Sequence, residues 1–138
     1  MRKLIGHLKL RILMRITLLL IHRAAARSSR MRELIASHQY VLQIQTEAGV
    51  GGHFVVADGR IALRTGLHPN PDFTQIWVEG NTAVKSMTSR DETELLRAFE
   101  DGLCRMRGRF IVALWFNEMM KLARPSAGSA RSSRAVPA

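Results

Sequence analysis

The histidine and acidic side chains are the first candidates for chemistry in this sequence, and their spacing predicts none. No two histidines lie four residues apart and none has a neighbouring cysteine; the five are His7, His22, His38, His53 and His68. Zinc sites need such spacings, so no metal site is predicted. Asp91, Glu92 and Glu94 cluster at the start of a predicted helix, where carboxylates stabilise the positive end of the helix dipole.

The candidate nucleophile and the glycine-rich segment also have structural explanations. Cys104 lies in a predicted strand with no histidine near it in sequence, which favours a small buried hydrophobic residue over a nucleophile. Gly49, Gly51 and Gly52 lack the strand-to-helix context and the Lys-Ser/Thr ending of a phosphate-binding loop, and no G-x-S-x-G motif is present. We therefore predict a protein that is not an enzyme and that needs no metal or cofactor.

Positive charge is concentrated at the two ends of the chain. Residues 1–35 hold nine Lys and Arg against one acid, residues 36–120 hold eight against ten, and residues 121–138 hold four against none. This distribution divides the chain into basic apolar helices at 1–37, a folded domain at 38–124 and a disordered basic tail at 125–138. The single cysteine excludes an intramolecular disulfide, which is typical of a reducing, cytoplasmic compartment.

The amino-terminal segment predicts a helix over about residues 3–27 that has two apolar flanks. Its longest uncharged run, 16–22, is well below the ~18 residues that cross a bilayer, and charges interrupt the apolar region of any signal peptide. One flank can pack on the domain, while the other either dimerises or lies at a membrane surface. A targeting peptide is a third, weaker hypothesis because the segment is poor in serine. The basic residues expected to face an anionic inner membrane surface are Arg2, Lys3, Lys9, Arg11, Arg15, Arg23 and Arg27.

The middle of the chain alternates between strand and helix patterns. Four strands are predicted at 40–45, 53–57, 60–65 and 73–79, with Asp58-Gly59 as a two-residue hairpin turn. Helices follow at about 81–88, capped by Asn81, and at 91–100, and a fifth strand lies at 103–107. The last predicted helix, 109–123, is apolar on nearly every side for two turns. We therefore expect protein, membrane or a bound apolar molecule to enclose it.

The order of short motifs in this domain resembles the sterol carrier protein 2 family. The motifs are FVVADGRIALRTG at 54–66, PDF at 71–73 and AFEDGL at 98–103, followed by Gly108 before the last helix. The resemblance spans about residues 39–123 and is to a bacterial, stand-alone type of member. It implies an α+β fold in which helices cover one face of a five-stranded, mostly antiparallel sheet, here with an extra amino-terminal helix. Arg109 departs from the pattern, because many members carry an acid there.

The resemblance also implies an elongated apolar cavity between the sheet and the last helix. The ligand would be long-chain and apolar: sterol-like, fatty acyl or isoprenoid. For any single lining residue, packing in a solid core is the stronger explanation, and only the whole set favours a cavity. The residues predicted to line it are Leu42, Ile44, Phe54, Val56, Ile61, Leu63, Ile76, Val78, Phe99, Leu103, Met106, Leu114, Trp115 and Met119.

Two classes of function follow from the sequence. The first is a lipid carrier held peripherally at an anionic membrane, with an accessory role in lipophilic quinone biosynthesis as a variant and a homodimer as an open alternative. The second is a nucleic-acid or protein interaction module that uses the basic ends. The net negative central region and the lack of aromatic residues alternating with basic ones disfavour nucleic acid.

Overall fold

The computed structural model describes residues 2–89, 91 and 93–123, with Arg2 and Lys3 described by their backbone alone. The elements, in chain order, are α1 (Arg2–Arg27), α2 (Ser29–Ala36), β1 (Tyr40–Thr46), β2 (Gly51–Ala57), β3 (Arg60–Thr65), β4 (Phe73–Trp77), α3 (Gly80–Met87), α4 (Thr93–Glu100), β5 (Cys104–Gly108) and α5 (Phe110–Ala123). Glu92, the side chains of Arg2 and Lys3, and the predicted tail at 125–138 lie outside the described residues.

The five strands form one sheet in the order β3-β2-β1-β4-β5. Only the central pair, β1 and β4, is parallel, and the other three pairs are antiparallel. A parallel pair needs a crossover connection, and here the chain reaches β4 by way of the β2–β3 hairpin and the loop 66–72. The predicted α+β class with a five-stranded, mostly antiparallel sheet is confirmed.

The hairpin between β2 and β3 forms at the predicted dipeptide. Asp58 and Gly59 have φ angles of 53° and 74°, the two positive values that a type I′ turn requires. Because the turn fixes the register, Val56 lies opposite Ile61 and Phe54 lies opposite Leu63. These four side chains share one face of the sheet with Leu42 of β1, and we call this the inner face.

Helix α1 lies across the inner face and is the central element of the helical layer. It contacts α2, α3, α5, β2 and β3. Leu10, Met14 and Ile21 recur at helical spacing and are almost fully buried against the sheet. Near the other end of the helix, His22 Nε2 lies 3.1 Å from the carbonyl oxygen of Ile61 in the edge strand β3.

The crossing of α1 and α3 brings two glycines together and changes a predicted cap. Asn81 was expected to cap α3, but the helix begins at Gly80 and its N-cap is Glu79, whose side chain makes no capping hydrogen bond. A Cβ atom at Gly80 would lie 2.3 Å from the carbonyl oxygen of Gly6. The two backbones are therefore in contact, and tertiary packing overrides the local cap preference.

Replacing Gly80 with alanine is expected to lower the free energy of unfolding by about 1–3 kcal/mol, the usual cost of overpacking a close contact. The new methyl group would meet backbone, which cannot rotate away. Thermal denaturation followed by circular dichroism measures the change. Lys85→Ala on the exposed side of α3 is the matched control. An unchanged melting temperature for Gly80→Ala would contradict the close crossing.

Candidate functional site

Most of the predicted lining residues do converge on the inner face. Leu42, Ile44, Phe54, Val56 and Ile61 are buried there by the strand register. Met119 is also buried and belongs to the same apolar cluster, while Leu63, Met106 and Trp115 pack against the cluster and are partly exposed. These nine residues form one continuous apolar region between the sheet and the helical layer.

Side chains of α5 make direct contacts with the sheet across this region. The rings of Phe54 and Phe116 have their centroids 5.3 Å apart, and the Tyr40 hydroxyl donates a hydrogen bond to Met119 Sδ over 3.3 Å. Trp115 stacks on His38 with 3.6 Å between ring centroids. The residues that could line a cavity are therefore in contact with one another.

Several buried residues of this region were missing from the predicted set. Val112 and Phe116 were recoverable from the sequence, because together with Met119 and Ala123 they have the spacing of one helix face. Phe73 and Trp77 alternate with Ile76 but were assigned to the opposite face. The missing residues of the sheet and of α5 include Tyr40, Phe73, Trp77, Val112 and Phe116.

The placement of Ile76 on the inner face was wrong. Strand β4 pairs with β1 so that Phe73 lies beside Leu42, while Ile76 lies beside Gln45. Ile76 is therefore on the outer face of the sheet, where it is buried, and Val78 lies beyond the end of β4. Alternation alone defines two faces of a strand but not which of them is inside, because both faces of β4 carry large apolar side chains.

The inward placement of Phe99, Leu103 and Leu114 was also wrong. Phe99 is 50% exposed, Leu114 is 51% exposed, and Leu103 is exposed before the start of β5. In α4 the fully buried position is Ala98, so the larger side chain beside it faces outward. Because no described element lies above the helical layer, apolar side chains on its far side are exposed within the described part of the chain.

The last helix is not enclosed on all sides, contrary to the sequence-based expectation. Val112 and Phe116 face the core, whereas Phe110 and Ile111 are largely exposed together with Leu114. The helix therefore has an outward face, which is apolar from Phe110 to Leu114 and polar further on, at Asn117 and Lys121. Exposed apolar groups of this kind are typical of surfaces that contact a membrane or a partner.

Helix α1 occupies the space in which the sequence predicts an apolar ligand. Leu10, Met14 and Ile21 belong to the same buried cluster as Phe54 of the sheet and Phe116 of α5. The buried side chains of α1 thus occupy the position at which a ligand chain would contact the sheet. A long guest in this region requires α1 to move.

The outward side of α1 carries a second apolar stripe. Five residues at helical spacing are between 47% and 58% exposed, and they lie opposite the buried face of the helix; they are Ile5, Leu8, Ile12, Ile16 and Leu19. We call this set the α1 ridge. Exposed basic residues flank it on both sides: Lys9, Arg11, Arg15, Arg23 and Arg27. In the part of the chain that the structure describes, no carboxylate pairs with any of these five.

None of the helices within residues 2–89 and 93–123 is both long and apolar enough to cross a bilayer. The α1 ridge is an interrupted stripe along one side of a helix whose other side is in the core, and charged residues recur along it. This arrangement suits a helix that lies in the plane of an interface.

Polar groups near the sheet are satisfied within the fold. His53 and His68, distant in sequence, lie edge to face with ring centroids 5.2 Å apart on the outer side of the sheet, yet no cluster of three metal-binding side chains occurs among the described residues. Arg109, the departure from the family pattern, lies 3.8 Å from Asp72. The Asp72 carboxylate also accepts a hydrogen bond from the backbone of Val41.

Cys104 is buried as predicted, and its burial suppresses reactivity. Desolvation raises the pKa of the Cys104 thiol from 9.0 to about 12. At pH 8 we expect the native thiolate population, and the rate of modification by a disulfide reagent, to be roughly a thousandfold below that of the unfolded chain. Stability due to the neutral thiol is complete below pH 9 and is lost as the pH rises towards 12. Rapid labelling of the folded protein at pH 8 would contradict this burial.

Comparison with solved structures identifies the fold. The UbiJ-SCP2 ubiquinone synthesis protein matches with a TM-score of 0.56 and 18% identity over 71% of this chain and 84% of that chain. Sterol carrier protein domain 2 of Helicoverpa armigera matches with a TM-score of 0.53 and 15% identity over 80% and 88% of the two chains. No family model matches the sequence, and neither does any curated protein. The chain has the fold of sterol carrier protein 2 domains.

Proposed function

We propose that this protein is a non-enzymatic lipid carrier that binds a long-chain apolar ligand between its sheet and its helical layer at the surface of an anionic membrane. The ligand class is sterol-like, fatty acyl or isoprenoid. The fold supports lipid binding, because two of the similar solved structures are sterol carrier protein 2 domains. The observation that carries the proposal is the position of α1, whose inner side covers the apolar sheet and whose outer side leaves the α1 ridge in water.

Membrane attachment follows from the charge and apolarity of the outer side of α1. Burying apolar surface contributes about 25 cal/mol per Å², and each basic residue near an anionic surface contributes about 1 kcal/mol. The five exposed basic residues that flank the α1 ridge have no competing carboxylate in ion-pair range within the described chain. Cytoplasmic residence on the inner face of the membrane is the corresponding location.

Ligand entry in this proposal requires α1 to exchange its partners. Leu10, Met14 and Ile21 leave the sheet, and the ligand takes their place over residues such as Phe54. Moving α1 off the sheet costs free energy. This cost is offset when membrane lipid buries the α1 ridge and the rest of the protein buries the inner side of the helix. The carrier is then closed in water and open at the membrane.

Native mass spectrometry and solvent extraction of the purified protein test the proposal. We expect a co-purifying apolar molecule, or a rise in melting temperature with added palmitate, oleoyl-CoA or an isoprenoid quinone in mixed vesicles. Ligand binding should be stronger with anionic than with neutral vesicles. Absence of co-purified lipid together with absence of protection by all three ligands would overturn the proposal.

A more specific role, as an accessory factor of lipophilic quinone biosynthesis, is supported by one observation. The structural match with the higher TM-score of the two is to a protein described as a ubiquinone synthesis protein. In this role the ligand would be an isoprenoid ring precursor. Competition between an isoprenoid quinone and oleoyl-CoA for the purified protein separates the two roles: preference for the acyl ligand would exclude the quinone role and leave the carrier proposal intact.

A further inference from the structure

A small pocket lies between the first half of α1 and the adjoining ends of β2 and β3. Its volume is about 220 Å³. None of its lining residues belongs to α5, although Met14 and Leu63 also adjoin the apolar cluster described above. Leu8, Arg11, Ile12, Met14 and Arg15 line it from α1, and Gly51, Gly52, Leu63, Arg64 and Thr65 line it from the strands.

Glycine creates the floor of this pocket. Gly52 faces α1 from the inner face of β2, opposite Thr65. A Cβ atom at Gly52 would lie 3.0 Å from the carbonyl oxygen of Arg64, 3.4 Å from Met14 Cε and 3.6 Å from Leu63 Cδ1. A methyl group at this position would therefore be crowded, and the floor of the pocket presents the Arg64 carbonyl oxygen beside the apolar side chains of Met14 and Leu63.

Two arginines of α1 lie at the rim of this apolar pocket. Arg11 and Arg15 are one helical turn apart and are exposed. Arg64 alternates to the outer face opposite His53, so it lines the pocket with its backbone. Among the described residues no acidic side chain lines the pocket, and no carboxylate pairs with Arg11 or Arg15. Two uncompensated guanidinium groups beside an apolar wall suit an anionic group joined to an aliphatic chain.

The volume limits the length of that chain. Drug-sized ligands occupy pockets of about 300–1,000 Å³, so 220 Å³ is too small for a sterol. A water molecule occupies about 30 Å³, and a methylene group is of similar size. The pocket therefore holds roughly seven groups of that size.

We propose that this pocket binds an aliphatic chain of about eight carbons that ends in an oxyanion, with Met14 and Leu63 against the chain and Arg11 and Arg15 on the carboxylate or phosphate. This site goes beyond the proposed carrier function, because α1 stays in place when the pocket is filled. The oxyanion belongs either to a fatty acid or to a phosphate ester, and the two share the chemistry that the arginines recognise.

Isothermal titration of the full-length protein with four eight-carbon or headgroup probes tests the assignment. Octanoate and octyl phosphate are expected to bind, while octanol and inorganic phosphate bind at least tenfold more weakly because each lacks one half of the recognition. Lengthening the chain from hexanoate to octanoate should tighten binding about sixteenfold, since each buried methylene contributes about fourfold. Tighter binding of octanoate than of octyl phosphate identifies the source as a fatty acid, and the reverse order identifies a phosphate ester.

Two variants connect binding to this pocket. Arg15→Gln should weaken octanoate binding at least tenfold by removing a charge-assisted hydrogen bond, and Thr65→Trp should abolish it by filling the rim from an exposed position. Arg23→Gln, also exposed on α1 but away from the pocket, is the control and should bind normally.

Methyl NMR of the unaltered protein provides a test that needs no variant. Octanoate should shift the Met14 methyl signal and leave that of Met119, under α5, in place. Any one of three results would overturn the inference. They are equal binding of octanol and octanoate, normal binding by Arg15→Gln and Thr65→Trp, and a shift of the Met119 signal alone. Binding of palmitate or quinone tests the carrier proposal, whereas binding of octanoate tests this pocket. Either proposal can therefore fail while the other holds.

Discussion

Replacing Ile12 and Ile16 with glutamine is expected to reduce binding to anionic vesicles by about tenfold to a hundredfold. Both side chains lie on the α1 ridge and are about half exposed, at 49% and 47%. Burying the remaining half of an isoleucine contributes roughly 1 kcal/mol, and 1.4 kcal/mol corresponds to tenfold in affinity. Co-sedimentation with vesicles that contain phosphatidylglycerol measures the effect.

The double variant should fold normally, because surface substitutions usually change stability by less than about 0.5 kcal/mol. Leu96→Gln is the matched control: it replaces an even more exposed leucine, in α4. Wild-type binding should also weaken as salt rises, since basic residues contribute to it. If the double variant binds as the wild type does, or if single-stranded RNA at equal salt binds more tightly than vesicles, the membrane role of the α1 ridge is excluded. Loss of a dimer in the variant would assign the ridge to self-association instead.

Replacing Leu10 with alanine is expected to lower the free energy of unfolding by about 2–5 kcal/mol, the largest effect on stability that we predict. Leu10 is 1% exposed and belongs to the cluster that includes the inner face of the sheet. A domain of this size has roughly 7–20 kcal/mol of total stability, so the change is a large fraction of the whole. Chemical denaturation monitored by tryptophan fluorescence is suitable, because Trp77 is fully buried.

Ile16→Ala removes a similar side chain from the opposite side of the same helix and is the control. It should change stability by less than about 1 kcal/mol, since Ile16 is half exposed. A saturating long-chain ligand should restore part of the stability of Leu10→Ala, because it fills the space that the leucine leaves. Equal effects of the two alanine substitutions would show that α1 does not form part of the core.

The elements and the class of fold were predictable because they depend on local patterns. The Asp58-Gly59 turn forms as predicted, and the Ser28 cap of α2 and the helix end at Gly102 are further features of this local kind. Each rests on a conformational preference of one or two residues, such as the positive φ of 74° at Gly102. The order of motifs from 54 to 108 then carried the resemblance to the fold that the structural comparison identifies.

The composition of the site was only partly predictable because apolar residues occur on both sides of several elements. Strand β4 presents Phe73 and Trp77 on one face and Ile76 on the other, and only its pairing beside β1 shows which of them is inside. The same ambiguity placed Leu114 inward in α5 and left Val112 and Phe116 out. The type of a residue indicates whether its burial is favourable, but it does not indicate which neighbouring residues will bury it.

By itself the sequence determined where helices, strands and turns lie, that the positive charge is at the ends, and that α1 has two apolar flanks. Only the tertiary structure decided that one flank of α1 covers the sheet where a ligand was predicted, that the other remains in water, and that Arg11 and Arg15 adjoin a pocket floored by Gly52. The physical reason is that secondary structure depends on short-range preferences. Occupation of a space depends instead on contacts between segments distant in the chain, and the hydrophobic effect that drives them has no direction of its own.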